Sequence, residues 1–583
     1  MPPDTENGAG PSRWGRVPAE AAAAVFSAFV DYNLEFGSIT RRAERRFRER
    51  EWKLGARDAV ERIELYDRRV EKCLAGLVGR MGRAVAEEEA WNATRTAFAA
   101  LIADCPDREF YKTFFNSITR KVFDTVGVND AVEFVALDLE PTIDTGSAPT
   151  REYATGAGLE ASLPRLLAEL PWSDLIVDRD AAVRLLAGEV AAFTAVRGLR
   201  GSVDGIELLE PVFYRGSRAF VVGRMRAADW FLPLVIAFRH DDSGIAVDSV
   251  MMSDYEVRPL FGFSRSYFHA DLPAVGAGLR FLRTLMPGKP TDELYTVLGR
   301  ARQGKTERYR SLFRHLGQSS DLFTHAEGER GMVMIVFTLA SLDIVFKVIR
   351  DRFAFPKTTT REEVMDKYRF VFRHDRVGRL VDAQEFRRLR FPRRRFAPAV
   401  LEELLSQAAL ACRIEGEDLI IEHCYLERRM KPLDVYLREA DGAAARRAIR
   451  DYGQAMRDLA LSNVFPGDLL LKNFGVSRHG RVIFYDYDEL CLVTDCRFRD
   501  LPEARHDEDE WRAEPWFYVG PNDVFPAQWL EFLGLRAELR AEFLRHHAEL
   551  LTADWWRRLK ALHEAERHLE VVPYQARRAA LAS

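Results

Sequence analysis

The chain is 583 residues long, 47% of them hydrophobic and 30% charged, and its net charge is −4. This length exceeds what one ordinary hydrophobic core needs, so two domains or three are expected. The balanced charge argues against a nucleic-acid-binding protein, and the longest apolar run, residues 332–342, is too short to cross a bilayer.

The N-terminus and the cysteines both favour a cytoplasmic protein. Residues 1–10 lack the basic and apolar segments of a signal peptide, and residues 1–17 are predicted to form a disordered tail. No Cys-x-x-Cys pair occurs, so a structural zinc site is not expected. Free thiols in a long chain are typical of a reducing cytoplasm. The six cysteines are Cys73, Cys105, Cys412, Cys424, Cys491 and Cys496.

The N-terminal half reads as a helical domain that contains a sheet. Apolar residues recur at helical spacing from residue 18 to about 135, and the aromatic run 110–115 is expected in the core. The polar stretch 142–158 predicts a loop. Short β-rich runs fill 206–261, and helical spacing returns from 273 to about 317. An antiparallel sheet embedded in helices is the simplest arrangement.

The character of the sequence changes near residue 320, where we place the main domain boundary. Strands are predicted at 332–337, 344–349 and 419–421, and helices at 360–372 and 397–411. The predicted organisation is a tail over residues 1–17, a first domain over 18–320 and a second domain over 321–583.

The most informative residues lie near the C-terminus. Asp468 is followed five residues later by Asn473, and Asp486 ends an apolar, strand-like run. Transfer of a phosphoryl group from a nucleotide needs a carboxylate that orients or deprotonates the hydroxyl, and an Asn and an Asp that hold the metal. The Asp-to-Asn spacing equals that of the protein-kinase catalytic loop. We predict that Asp468 is the base, that Asn473 and Asp486 bind Mg²⁺ or Mn²⁺, and that Lys472 neutralises the transferred group.

Two features upstream predict a nucleotide site. Gly328 and Gly331 precede the strand at 332–337 and match the second half of a kinase glycine-rich loop, although such turns are common. Lys347 stands inside an apolar strand, which is costly unless the ammonium group is paired. In kinases this lysine holds the α- and β-phosphates.

Two further kinase elements are located by position alone. The strand lysine of a kinase is oriented by a glutamate, for which Glu362, Glu363 and Glu385 are the candidates; the sequence does not choose among them. The segment 421–427 follows a predicted strand and stands where a hinge would bind adenine through backbone groups.

The catalytic segment differs from that of ordinary protein kinases. Pro466-Gly467-Asp468 replaces His-Arg-Asp, and Asp486-Tyr487-Asp488 replaces Asp-Phe-Gly. The extra carboxylate of Asp488 could bind a second metal or activate a water for hydrolysis. Cys491 and Arg497 have the Cys-x₅-Arg spacing of cysteine phosphatases, but the preceding His and the glycine of the phosphate cradle are missing, so we interpret this spacing as coincidence.

One basic run has two interpretations. It is either a solvated surface or a docking patch for an acidic partner or phosphate. It consists of Arg387, Arg388, Arg390, Arg393, Arg394 and Arg395.

Longer motifs are more specific than the kinase spacing. They occupy 64–69, 110–117, 374–379, 467–476 and 478–489. On these segments the chain resembles the isocitrate dehydrogenase kinase/phosphatase family of bifunctional bacterial enzymes over nearly its whole length. The resemblance implies an α+β fold, with a mostly helical N-terminal regulatory domain that embeds an antiparallel sheet, followed by a bilobal protein-kinase-like domain.

The resemblance also implies a function. Isocitrate dehydrogenase would be the partner, switched off by phosphorylation of a serine and switched on by removal of that phosphate. The outcome would be control of carbon flow between the tricarboxylic acid cycle and the glyoxylate bypass. ATP would be the phosphoryl donor, ADP would support the phosphatase, and AMP would bind the regulatory domain and favour the phosphatase.

The resemblance assigns further site residues. The ATP-contacting lysine corresponds to Lys347, and an active-site aspartate to Asp382. The ATP loop corresponds to Ala326, Glu327, Gly328, Glu329, Arg330, Gly331 and Met332. No separate phosphatase domain is visible, so both activities are predicted to share one site, with Asp488 supporting attack of water. The sequence leaves open which activity Lys472 and Asp488 serve.

Two other classes of function are weighed against this one. Small-molecule kinases of the aminoglycoside-phosphotransferase type share the Gly-Asp and Asp-x-Asp patterns but are usually much shorter. A non-catalytic pseudokinase should have lost Lys347, Asp468 or Asp486, and all three are present. Nucleic acid and membrane are not expected as partners. The oligomeric state stays open, with a homodimer among the options.

Overall fold

The protein is described by a computed structural model. The described residues are 13–134, 147–156, 158–199, 203–228, 230–262, 268–355, 357–374, 377–502, 517–569 and 571–574.

The chain divides into two compact units. The first comprises residues 1–252 and 268–318, and the second comprises 253–267 and 319–583. The second unit thus includes a short segment from the N-terminal half of the sequence. The predicted limits at residues 17 and 320 stay a prediction, and residues 1–12 of the predicted tail lie outside the described residues.

The helices, in chain order, are α1 (Val17–Arg48), α2 (Trp52–Met81), α3 (Glu88–Leu101), α4 (Arg108–Phe123), α5 (Leu159–Ala168), α6 (Arg179–Val196), α7 (Asp254–Leu260), α8 (Val275–Leu285), α9 (Thr291–Val297), α10 (Ala301–Gln318), α11 (Arg361–His374), α12 (Pro398–Gln407), α13 (Leu433–Glu439), α14 (Gly442–Leu461), α15 (Trp529–Phe532), α16 (Ala537–His547) and α17 (Ala553–Glu564). Among the described residues, no helix combines the length and the apolar character needed to cross a membrane.

The strands are β1 (Thr150–Ala154), β2 (Gly205–Leu209), β3 (Phe213–Arg215), β4 (Arg218–Ala227), β5 (Trp230–Asp241), β6 (Gly244–Met251), β7 (Phe323–His325), β8 (Met334–Leu339), β9 (Ile344–Ile349), β10 (Gln384–Pro392), β11 (Cys412–Glu415), β12 (Asp418–Arg428), β13 (Lys431–Pro432), β14 (Val464–Phe465), β15 (Phe474–Val476), β16 (Val482–Phe484), β17 (Cys491–Leu492), β18 (Arg497–Phe498) and β19 (Asp523–Val524).

The first unit combines long helices with one antiparallel sheet. The sheet has the order β1-β2-β4-β5-β6, and β3 pairs with β4. Aromatic side chains fill the space between α1, α2 and α4, where the Phe114 ring lies 5.4 Å from Phe29 and 5.6 Å from Tyr66. The aromatic run 110–115 therefore contributes to the core as predicted, with Phe110, Phe114 and Phe115 buried.

The second unit has two parts, as a kinase-like fold requires. Its larger sheet has the antiparallel order β10-β12-β9-β8-β7, and β11 pairs with β12. The other part is built on α13 and α14 and carries two short antiparallel sheets, β13-β15-β16 and β14-β17. Tyr452 of α14, which is fully buried, donates a hydrogen bond to the Leu469 carbonyl at 2.5 Å and so supports the loop that follows β14.

Helix α7 belongs to the second unit although its neighbours in sequence belong to the first. It begins with a capping box, in which Ser253 and Glu256 exchange side-chain to backbone hydrogen bonds. Val257 and Leu260 are buried. Arg258 lies 3.4 Å from the Nε2 of His479, in the turn between β15 and β16.

Most predicted elements are present. The strand at 344–349 and the helices near 360–372 and 397–411 are observed as β9, α11 and α12. The predicted loop 142–158 is wrong in its second part, because β1 pairs with β2 there; residues 142–146 lie outside the described part of the chain. Strand β1 lies at the edge of the sheet and is mostly polar and exposed, so its sequence lacks the apolar run that predicts a strand.

Candidate active site

Lys347 is a buried lysine on the central strand β9. Strand β9 lies between β8 and β12, so the Lys347 side chain leaves the backbone inside the sheet rather than at an edge. Its Nζ lies 2.8 Å from the Glu427 carboxylate and donates a hydrogen bond to the Tyr485 carbonyl at 2.6 Å. These contacts hold the ammonium group directly beside Asp486, the predicted metal ligand.

Glu427 is the glutamate that pairs with Lys347, and the three candidates from sequence are wrong. Glu427 lies on β12 and is 1% exposed. Burial raises the pKa of Glu427, the charge of Lys347 lowers it, and the charge of Asp382 raises it further. The segment 421–427, predicted to follow a strand as a hinge, is itself part of β12.

The three rejected glutamates have other surroundings. Glu363 accepts a hydrogen bond from the Thr360 backbone at the start of α11. Glu385 lies 3.3 Å from His423, which together with Arg387 holds the pKa of Glu385 well below its usual range despite burial. Glu362 is exposed in the first turn of α11.

The predicted ATP loop, residues 326–332, connects β7 to β8. Gly328 has a φ of +108°, and a Cβ there would lie 3.0 Å from Pro432, so glycine is required for both reasons. Ala326 donates its N–H to the Val336 carbonyl, and the Gly331 carbonyl accepts from Arg350 at 3.1 Å. Glu327, Glu329, Arg330 and Met332 are exposed. Lys472 contacts this loop, since its Nζ lies 3.0 Å from Glu329.

The loop after β14 carries Asp468 and Asn473. Gly467 has a φ of +80°, and a Cβ there would lie 2.5 Å from the Glu489 carbonyl. Because glycine has no Cβ, this loop can lie close to the segment after β16. The Asp468 carboxylate accepts a hydrogen bond from the Leu470 N–H at 2.9 Å. The buried Asn473 donates from Nδ2 to the Asp468 carbonyl at 3.3 Å, and its own carbonyl accepts from the Tyr485 N–H. The structure thus ties the two predicted functional residues together.

Asp486 lies at the centre of the site. Burial raises the pKa of Asp486 to about 7, and the charges of Asp488 and Asp468 add to this rise while Lys347 and Lys357 oppose it. Each of these groups is near enough to act on the Asp486 carboxylate. The site therefore gathers three carboxylates and two lysines.

Lys357, which sequence reasoning missed, holds the third carboxylate. Its Nζ lies 2.9 Å from Asp488 and also contacts Glu489. The carboxylates of Asp488 and Glu489 raise its pKa although burial opposes them. Lys357 comes ten residues after Lys347, before α11, in a segment with no motif.

Asp382 lies between β10 and the short β16 sheet. It is 8% exposed, and its Oδ2 accepts a hydrogen bond from Gln384 at 3.1 Å. Its neighbour Val381 donates its N–H to the Phe484 carbonyl, two residues before Asp486. Asp382 is thus brought to the Lys347–Glu427 side of the cluster, where its charge acts on Glu427.

The donor set fits a metal that arrives with a nucleotide. Among the described residues, no group of three or more His, Cys, Asp and Glu side chains is arranged as a metal site. The predicted donors are one amide, Asn473, and one carboxylate, Asp486. Mg²⁺ is commonly held by one or two carboxylates together with substrate phosphates, so this small set suits it.

Comparison with known proteins identifies the family. Residues 321–576 match the model described as the isocitrate dehydrogenase kinase/phosphatase (AceK) kinase domain, and residues 22–320 match the regulatory-domain model of the same family. The chain is 48% identical over 574 residues to the isocitrate dehydrogenase kinase/phosphatase of Anaeromyxobacter dehalogenans, covering 96% of this chain and 97% of that protein. It is 47% identical over 556 residues to the protein of the same name from Xanthomonas campestris pv. campestris, covering 94% and 96%.

The chain belongs to the isocitrate dehydrogenase kinase/phosphatase family.

Membership of the isocitrate dehydrogenase kinase/phosphatase family agrees with the α+β fold predicted from sequence. The regulatory model covers the helical N-terminal part with its antiparallel sheet, and the kinase model covers the part that carries Lys347 and Asp468. The fold class is therefore confirmed. The roles of the individual site residues stay predictions.

Proposed function

We propose that this protein is an ATP-dependent kinase that phosphorylates a serine of isocitrate dehydrogenase and a phosphatase that removes that phosphate, both at one site. The observation that carries the proposal is the convergence of Asp468, Asp486 and Asp488 beside Lys347 and Lys357. The names of the relatives support the substrate and the two activities.

For the kinase reaction, each residue has a distinct task. Asp468 orients the serine hydroxyl and accepts its proton as the oxygen attacks the γ-phosphorus and the bond to the β–γ bridging oxygen breaks. Lys347 binds the α- and β-phosphates, and Lys472 compensates charge on the transferred group. The loop from Ala326 to Met332 lies over the phosphates. A Mg²⁺ or Mn²⁺ ion held by Asn473 and Asp486 would add positive charge at the phosphates.

In the phosphatase reaction, the phosphoryl group is transferred from the phosphoserine to water. Asp488 orients the water and accepts its proton as the water oxygen attacks the phosphoserine phosphorus; the bond from phosphorus to the serine oxygen breaks, and that oxygen takes up a proton from solvent. The ion pair with Lys357 holds the Asp488 carboxylate in position. Asp382, whose charge acts on Glu427, supports the Lys347 side of the same site.

The wider function follows the family. Inactivating and reactivating isocitrate dehydrogenase would set the division of carbon between the tricarboxylic acid cycle and the glyoxylate bypass. ADP would support the phosphatase, and AMP would act through the N-terminal domain, residues 18–320, on the catalytic domain, residues 321–583, with residues 1–17 as a tail. We propose a cytoplasmic enzyme with neither nucleic acid nor membrane as partner, and we keep a homodimer as the oligomeric alternative to a monomer.

A small-molecule kinase of the aminoglycoside-phosphotransferase type is the alternative. The match of residues 22–320 to a regulatory-domain model disfavours it, because those enzymes are much shorter than this chain. Labelled ATP offered with isocitrate dehydrogenase and, separately, with aminoglycosides distinguishes the two.

The test is transfer of label from γ-labelled ATP to purified isocitrate dehydrogenase, followed by release of that label after addition of unlabelled ADP and AMP. We expect the wild-type protein to do both. Asp468→Asn should lower the rate of labelling by about 10³-fold while nucleotide binding persists, because it removes the base but no phosphate contact.

The proposal that one site performs both reactions is tested by a variant of Asp488. Asp488→Asn should lower label release more than label transfer. Asp500→Asn, which changes an exposed aspartate paired with Arg557, is the matched control and should leave both rates unchanged. Full phosphatase activity in a folded Asp488→Asn variant would contradict the assigned role of Asp488, and no labelling by the wild-type protein would contradict the substrate.

A further inference from the structure

Two thiols lie side by side just after the carboxylate cluster. The Sγ atoms of Cys491 and Cys496 are 3.6 Å apart, and both cysteines are free. A disulfide bond has an S–S length of about 2.05 Å, so a small movement would join them.

The backbone holds the two thiols in this arrangement. Cys491 begins β17, and a 3₁₀ turn, Val493–Asp495, brings Cys496 back beside it. Asn463 fixes the turn, because it accepts hydrogen bonds from the Val493 and Thr494 backbone N–H groups. Because the turn is already fixed, little further conformational entropy is lost when a disulfide bond forms in the folded protein.

The two cysteines differ in reactivity. Cys491 is half-buried and Cys496 is 3% exposed. The hydrogen bond from Cys496 lowers the pKa of Cys491, and the positive charge of Lys367 lowers it further. The same hydrogen bond and burial raise the pKa of Cys496. A half-exposed thiol with a lowered pKa is the one that attacks an oxidant, and its neighbour then resolves the intermediate.

We propose that Cys491 and Cys496 are a modification site at which hydrogen peroxide produces a reversible disulfide that lowers the activity of the adjacent site. The Cys491 thiolate attacks one peroxide oxygen, the O–O bond breaks, and a sulfenic acid forms; the hydroxide that leaves takes up the proton lost by the thiol and becomes water. The Cys496 sulfur then attacks the Cys491 sulfur, the S–O bond breaks, and a second water leaves. Two thiols lose two electrons and the peroxide gains them; a dithiol reductant reverses the reaction.

The location explains the expected effect on activity. Cys491 pairs with Phe465 in the β14–β17 sheet, and Phe465 comes three residues before Asp468. Glu489, two residues before Cys491, is the residue against which Gly467 packs without room for a Cβ. Drawing Cys491 towards Cys496 therefore moves backbone that positions both Asp468 and Asp488. We expect kinase and phosphatase rates to fall together, by about 10-fold or more, because a displacement of about 1 Å in a site commonly costs 10²-fold.

Peptide mass tests the bond directly. Cleavage after Lys and Arg yields one peptide, residues 482–497, that contains both cysteines and no other. The full-length reduced protein is treated with hydrogen peroxide, blocked with N-ethylmaleimide and digested. We expect this peptide unlabelled and about 2 Da lighter than its dithiol form, the mass of two hydrogens. Two maleimide groups, or sulfinic acid on Cys491, after peroxide treatment would overturn the proposal.

Variants test the assignment and the effect on activity. Cys496→Ser should leave Cys491 as a sulfenic or sulfinic acid, and Cys491→Ser should leave Cys496 unoxidised. Both variants should keep their activity after brief peroxide treatment without a reductant, whereas the wild-type protein should lose activity and regain it after a dithiol. Cys105→Ser, which changes a half-buried cysteine of the first unit, should behave as wild type. If one serine variant fails to fold, the other still tests the assignment.

The effect on activity relies on the proposed function, whereas formation of the bond does not. A wild-type protein that forms the disulfide but keeps its full rates would overturn the regulatory part. A wild-type protein that forms the disulfide but labels no dehydrogenase would show that the proposed substrate is wrong. In that case, nucleotide binding is measured with and without peroxide. Weaker binding after oxidation supports the regulatory part, and equal binding overturns it.

Discussion

The two units of this protein treat buried charge in different ways. In the first unit, Lys289 and Arg308 each lie beside one carboxylate: Lys289 is 2.6 Å from Glu293, and Arg308 is 2.8 Å from Asp292. In the second unit, Lys347 forms an ion pair with Glu427 and lies beside Asp486. Lys357 forms ion pairs with Asp488 and Glu489.

The first arrangement pairs its charges one to one, whereas the second holds more carboxylates than cations. A balanced pair stabilises one arrangement and leaves no net field for a ligand. A cluster with more carboxylates than cations costs stability, because like charges raise each other's pKa, as they do at Asp486. Such a cluster becomes favourable when positive charge arrives, which a metal–nucleotide complex would supply.

Removal of the shared lysine should give the largest effect. Lys347→Met should lower the kinase rate by about 10³-fold, equivalent to about 4 kcal/mol. It should also destabilise the fold by about 3 kcal/mol, because Glu427 would remain buried without its cation. The double variant Lys347→Met/Glu427→Gln should recover the melting temperature but not the activity. Recovery of both would mean that Lys347 acts only structurally.

Removal of a balanced cation in the first unit should act on stability alone. Arg310 contacts Glu109 and lies 3.0 Å from Glu307. Arg310→Met should cost about 3 kcal/mol in the free energy of unfolding, measured in urea, because the partly buried Glu307 loses its cation and Glu109 is left with Lys112. Arg393→Met, which breaks an exposed pair with Glu417, is the matched control and should cost at most about 0.5 kcal/mol.

Lys357 should distinguish the two reactions. Lys357→Met should lower the phosphatase rate by about 10-fold and the kinase rate less, because Lys357 positions Asp488. Lys357→Arg should recover much of the loss, since it keeps the charge. Equal loss in both reactions would place Lys357 among groups that position the nucleotide instead.

The smallest effect concerns pH and the first unit. Burial and the charge of Arg62 hold the pKa of His269 well below its usual range. The unfolded chain therefore binds a proton below about pH 6.5 that the folded chain does not, so stability should fall by up to about 1.4 kcal/mol per pH unit as pH decreases. His269→Gln should reduce this slope in urea titrations between about pH 5 and 7. An unchanged slope would assign the dependence to other groups.

Local patterns located a segment whose residues Asp468, Asn473 and Asp486 the structure brings together, while their roles stay predictions. The spacing of Asp468, Asn473 and Asp486 is set by one loop and one hairpin, both short enough to read along the chain. Lys347 was recognisable because a charged residue interrupts an apolar strand. The glycines at 328 and 467 are required by positive φ and by close packing, and the glycine-rich loop was recognisable for that reason.

Contacts between distant segments could not be predicted in the same way. Glu427 reaches Lys347 through the pairing of β12 with β9, and that register depends on the whole sheet. Lys357 lies in an irregular segment whose position is set by the tertiary fold. Asp382 was assigned only by resemblance, since no periodic pattern marks it. The charge cluster is therefore a property of the assembled sheet and loops.

The placement of residues 253–267 bears on any attempt to divide this protein. A fragment that stops near residue 318 would carry α7 without the rest of the unit to which it belongs. A fragment that starts near residue 319 would lack α7 and the Arg258–His479 contact at the turn between β15 and β16. Either cut would therefore divide the second unit, and the full-length chain keeps it whole.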